Sequence, residues 1–167
     1  ASPRCCFPGW TRQTTDRTRD SVVETSLLQP LLADALALHR AGELARAQAV
    51  YQQILSLDPE HADAMHLMGV LAQQRGDTGA AQQLIEQAID LNGAVATYHA
   101  NLGAVLRERG RLEEAVGSYE RALALDPALA NAWSNLGSAL RECGEPDRAV
   151  ECCERALQLQ PVFPQAW

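Results

Sequence analysis

Between residues 28 and 163 apolar side chains return every three or four positions with polar residues between them, the spacing of amphipathic helices. In one stretch Leu102, Gly103 and Leu106 share a helical face. After Gly110 the run EEAVGSYERALAL puts Ala115, Tyr119, Ala122 and Leu123 on a second stripe. Two helices joined by a tight turn are predicted there, and the same arrangement recurs before and after it. No segment alternates with the period of two that a half-buried strand requires, so the expected fold class is all-α.

The recurrence has a fixed period. Gly69, Gly103 and Gly137 stand 34 residues apart, with Ala35 in the first place, and Gly42, Gly76, Gly110 and Gly144 follow each by seven. The same spacing aligns Ala47, Ala81, Ala115 and Ala149, then Tyr51, Ile85, Tyr119 and Cys153, then Ile54, Ala88, Ala122 and Ala156. Leu57, Leu91, Leu125 and Leu159 come next, and Pro59, Pro127 and Pro161 close three of the four units. The second glycine of each unit suits a chain reversal, and Asp-Pro stops the second helix. The first glycine lies inside a helix, where it costs about 1 kcal/mol relative to alanine. It is expected to let two helix axes approach closely, with a small alanine facing it.

The stretch from Trp133 to Pro161, with Leu136, Gly137, Gly144, Ala149 and Ala156 at their places, resembles the tetratricopeptide repeat. The resemblance covers four units, 28–61, 62–95, 96–129 and 130–163. It departs locally: Leu31, Met65 and His99 replace the tryptophan, Gly93 replaces a proline, Cys153 replaces an aromatic residue, and Asp34 takes a place that is usually apolar. It implies a right-handed α-solenoid of helix-turn-helix units in which the first helix of each pair lines the concave side. Residues 1–27 lack a helical period and are expected to be a disordered leader. Residues 164–167 place Trp167 at the fourth position of a truncated fifth unit, and self-association through that end is expected.

Composition narrows the function. The 167 residues carry a net charge of −7 with no dense basic stripe, which disfavours nucleic acid as a partner. No apolar run approaches the roughly 20 residues of a membrane span, and a cytoplasmic location is expected. The five cysteines form no CxxC, and Cys143, Cys152 and Cys153 are read as small apolar fillers in a reducing compartment. His39, His61, His66 and His99 show no ligand spacing. With no Gly-rich phosphate loop and no G-x-S-x-G elbow, neither a metal, a cofactor nor a catalytic constellation is expected in the chain.

Function is therefore expected on the concave surface. Positions pointing away from the Leu-Gly stripe include Asn101 and Asn135, Arg107 and Arg141, Glu108 and Glu142, and Ser138 beside its counterpart Ala104. A carboxamide offers both donor and acceptor, so repeated asparagines can pair with the backbone of an extended peptide whatever its sequence. The arginines can grip acidic side chains. The alternative is that the asparagines bridge neighbouring helices and the charges form a solvated face. The phrase NLG at 101–103 and 135–137 is similar to repeats of O-linked N-acetylglucosamine transferases, a resemblance that implies asparagines holding protein substrates. Leu32 and Leu36 stand where a chaperone-tail carboxylate clamp would need Lys and Asn. Two functions follow: a non-catalytic scaffold for an extended polypeptide, or the substrate-binding arm of a larger glycosyltransferase whose catalytic domain is absent from this chain.

Overall fold

The computed structural model describes residues 17–159, with side chains from residue 28 onward. Among the described residues the chain forms eight helices and no strand. The pairs are α1 (Arg17–Arg40) with α2 (Leu44–Leu57), α3 (Ala62–Gln74) with α4 (Thr78–Leu91), α5 (Ala96–Glu108) with α6 (Leu112–Leu125), and α7 (Ala130–Glu142) with α8 (Pro146–Leu159). α1 starts at Arg17, inside the stretch expected to be a leader. The segment RTRDSVVETSL contains neither glycine nor proline, so nothing in it stops helix from running ahead of Leu28. The rest of the leader, and Phe163 and Trp167 on which the fifth unit and the self-association rest, lie outside the described residues.

The intra-unit turns share one solution. Gly42, Gly76, Gly110 and Gly144 all have positive φ, between 75° and 85°. In the second unit the Gly76 N–H donates to the Gln73 carbonyl at 2.8 Å and the Asp77 N–H to that of Ala72 at 3.0 Å, which satisfies the last carbonyls of α3 in a Schellman arrangement. The turns between units are also alike. The side chains of Asp58, Asn92 and Asp126 each accept from the backbone N–H two residues on. Gly93 therefore replaces proline without loss of the turn, because Asn92 supplies the same Asx bond. His99 replaces tryptophan in the same spirit: its Nε2 donates to the Gly93 carbonyl at 3.0 Å, as Trp133 Nε1 does to that of Pro127 at 2.9 Å.

Packing explains the glycines inside α3, α5 and α7. A Cβ on Gly103 would lie 2.8 to 2.9 Å from the ring of Tyr119, and one on Gly69 would lie 2.7 Å from Ile85 Cγ1. On Gly137 it would meet Cys153 Sγ at 3.0 Å. The expected alanine is thus not what faces each glycine. Ile85, Tyr119 and Cys153 of the second helices face them instead, and the alanines come near through the carbonyls of Ala81 and Ala149, each 3.1 Å from the added Cβ at Gly69 and Gly137. Ile85 and Tyr119, which meet Gly69 and Gly103, are completely buried, and so is Tyr51, their equivalent in the first unit, where Ala35 takes the glycine's place. Cys153 is exposed, Cys143 is half-buried, and of the three cysteines only Cys152 is a buried filler.

Each unit packs chiefly within itself, then second helix against the next first helix. The first helices also touch one another, α3 with α5 and α5 with α7, so the array bends toward them and their outer faces form its concave side. On the opposite side Arg75, Arg111 and Arg148 brace neighbouring units through Gln48, Gln82 and Glu120.

Candidate functional site

Side chains of the first helices meet across the units in a single register. At the first junction His39 Nε2 lies 3.0 Å from Gln74 Oε1. At the second, Tyr98 donates to Asp63, Asn101 Nδ2 donates to His66 Nε2 at 2.8 Å, and Gln73 Nε2 donates to Glu108 Oε1 at 2.7 Å. Every one of these bonds spans 35 residues, one more than the repeat. A concave position therefore speaks to the next position of the following unit.

At the third junction the corresponding pairs are Thr97 with Ala132, Ala100 with Asn135, and Arg107 with Glu142. Among the described residues none of them bonds. The first two pair a polar group with a methyl, and the third has the right charges but does not close. A cleft of about 320 Å³ opens there, lined by Thr97, Ala100, Asn101, Asn131, Ser134 and Asn135 with Leu129 and Ala132. Its walls carry amides, hydroxyls and methyls and no charge.

The predicted site residues divide accordingly. Asn101 and Asn135 both line the cleft, but Asn101 already bridges to α3, as the alternative reading held. Asn135 has no side-chain partner among the described residues. Ser138 returns its hydroxyl to the Ser134 carbonyl at 3.1 Å, and Glu108 is held by Gln73. Arg107, Arg141 and Glu142 form no ion pair among the described residues; the four pairs present all belong to the second helices and the turns before them. Sequence reasoning missed Thr97, Asn131, Ser134 and His66. For His66 the signal lay in a 35-residue offset rather than the 34-residue one.

Electrostatics set the second junction apart. His66 is 6% exposed and stacks on Tyr98 with ring centroids 4.4 Å apart. Burial lowers its pKa to about 4 against a smaller opposing pull from Asp63, so at neutral pH the ring is uncharged and its nitrogen can accept from Asn101. Tyr98 is raised by burial and by its bond to Asp63. In the third unit burial pushes Tyr119 up to about 12, and its hydroxyl has no partner. Tyr51, its counterpart, has His39 Nδ1 at 3.2 Å.

Three tetratricopeptide models match the chain, over residues 38–104, 103–140 and 130–163, and together they cover 38–163. The chain belongs to the tetratricopeptide repeat family. No curated protein matches the sequence, but solved structures do. The tetratricopeptide units are similar to a mutant O-GlcNAc transferase of Thermobaculum terrenum, with 28% identity and a TM-score of 0.77 over 81% of this chain and 26% of that one. They share the fold of MamA, with 24% identity and a TM-score of 0.71 over 87% and 86% of the two chains. The same is true of PilF from Pseudomonas aeruginosa, with 24% identity and a TM-score of 0.78 over 84% and 64%. The chain thus spans about a quarter of the transferase. Tetratricopeptide arrays generally serve protein–protein interaction, and no described helix is long and apolar enough to cross a membrane.

Proposed function

We propose that this chain is a non-catalytic scaffold that holds an extended polypeptide on its concave face, centred on the cleft between α5 and α7. The observation that carries the reading is the open third junction, where Asn135 and its uncharged neighbours are free of the cross-unit bonds made at the second. An uncharged cleft suits the peptide backbone, which offers a donor and an acceptor at every residue. Arg107 and Arg141, unpaired beside it, suit acidic side chains of the same segment.

Fluorescence anisotropy against a peptide library tests this. The double variant Asn101→Ala/Asn135→Ala is expected to bind peptides of many sequences more weakly, by at least one lost hydrogen bond worth about 0.5–1.5 kcal/mol. Arg107→Ala and Arg141→Ala are expected to weaken acidic peptides selectively, and added salt should mask that loss because exposed charges are screened. Unchanged affinity in the double asparagine variant, with an unchanged melting curve, would leave the asparagines as helix bridges only.

A second reading draws support from the 28% identity to the transferase: the chain is the substrate-binding arm of a larger glycosyltransferase. Reading the gene beyond the codon for Trp167 tests it. Further repeats leading into nucleotide-sugar-binding α/β domains support this reading, and a stop codon after a capping helix opposes it.

A further inference from the structure

The two asparagines of the repeat are not equivalent, and the difference lies one unit upstream of each. Asn101 faces His66, whereas Asn135 faces Ala100, the residue that takes the place of His66 at the next junction. His66 is not free to turn away. It is buried, stacked on Tyr98 at 26° between ring planes, and Tyr98 is tied in turn to Asp63. A chain of contacts from Asp63 through Tyr98 and His66 to Asn101 therefore fixes the Asn101 carboxamide toward α3. A carboxamide that grips one residue of an extended backbone must present its N–H and its oxygen in the same direction. Asn101 is held off that pose, because one of its two amide hydrogens is engaged by the buried imidazole and the plane of the carboxamide is fixed with it. Asn135 can, because a methyl group stands where the acceptor would be.

We infer that the fifth residue of the preceding unit is the specificity determinant of this groove: His66 withdraws Asn101 from peptide binding and Ala100 leaves Asn135 available, so the bound polypeptide is gripped by a single backbone clamp on α7. The inference rests on the peptide-binding reading above and assigns it a register. The ligand chemistry is the neutral peptide group of one extended residue, and side-chain charge does not enter at this point.

The test moves the histidine rather than the asparagines. With the full chain and a randomised library of fluorescein-labelled uncharged peptides, Asn135→Ala should weaken binding roughly 2- to 12-fold, the equivalent of one net hydrogen bond. Asn101→Ala should leave it unchanged. Ala100→His should weaken binding as much as Asn135→Ala does, and the double variant Ala100→His/Asn135→Ala no further. In the other direction His66→Phe keeps a ring on Tyr98 but removes the acceptor, and should strengthen binding by a similar factor. That gain should vanish in His66→Phe/Asn101→Ala. Should Ala100→His prove unable to fold by its melting curve, the His66→Phe pair decides alone. Loss of affinity in Asn101→Ala, or His66→Phe binding no better than the parent, overturns the inference while leaving peptide binding in place. No loss in Asn135→Ala removes the peptide-binding reading itself.

Discussion

Replacing Gly103 by leucine is expected to lower the melting temperature more than the same change at Gly137. A single Cβ there would already sit 2.8 Å from Tyr119 Cε1 and 2.9 Å from Cζ, and the ring has nowhere to go because Tyr119 is completely buried. Its neighbours Ala115, Ala122, Leu106 and Leu136 belong to the largest apolar cluster. Overpacking costs about 1–3 kcal/mol where the surroundings can adjust, and this site lies at or above the top of that range. For a chain of this size about 3 kcal/mol corresponds to a fall of roughly 6–12 °C. Gly137→Leu should cost less, since the nearest atom is the sulfur of an exposed cysteine that can swing outward. Gly110→Ala meets no atom within 4 Å, but φ of +75° makes it cost about 1–2 kcal/mol through the left-handed backbone alone. Melts followed by circular dichroism give the order directly. A neutral Gly103→Leu would mean that close helix approach is not why the glycine is there.

The helices were legible because their cause is local. Apolar spacing, turn glycines with positive φ and Asx residues at the junctions act within a few positions, and the period repeats that information four times. Even departures from the pattern kept the physics: His99 makes the hydrogen bond of the tryptophan it replaces, and Asn92 makes the turn that Gly93 lacks a proline to enforce. The period marks equivalence and not burial. Leu57 and Leu91 keep the 34-residue spacing yet are exposed, because they sit at the last turn of α2 and α4 beyond the reach of the next first helix.

The candidate site was legible only in part, for a geometric reason. Alignment by 34 residues identifies equivalent positions, which made Asn101 and Asn135 look alike. Contacts between adjacent concave helices advance by 35, so the partner of a position is never its own equivalent. Whether an asparagine is free thus depends on the fifth residue of the unit before it, a position at which histidine and alanine carry no motif. The same offset explains why Glu108, held by Gln73, and Glu142, free opposite Arg107, are chemically distinct despite identical places in the repeat.

Acid should weaken the fold earlier than its carboxylates alone would. His66 has a pKa of about 4 in the folded chain and about 6.5 when unfolded. Between those values the unfolded state takes up a proton that the folded state refuses. Stability therefore rises with pH in this window: it is complete above about pH 6.5 and is lost as the pH falls toward 4. The full difference amounts to about 3 kcal/mol for this buried ring, and desolvation is its main cause, since Asp63 pulls the other way. Urea denaturation at a series of pH values should show the decline beginning near pH 6.5, above the range in which unfolded carboxylates titrate at about 3.9–4.3. His66→Phe should flatten the curve from pH 6.5 down to about 4.5. An equal slope in that variant would show that burial of His66 does not oppose its charge. Protonation also ends acceptance from the Asn101 amide, because both ring nitrogens then carry hydrogen. The bond that fixes Asn101 toward α3 and the stability lost in acid thus depend on the same neutral imidazole.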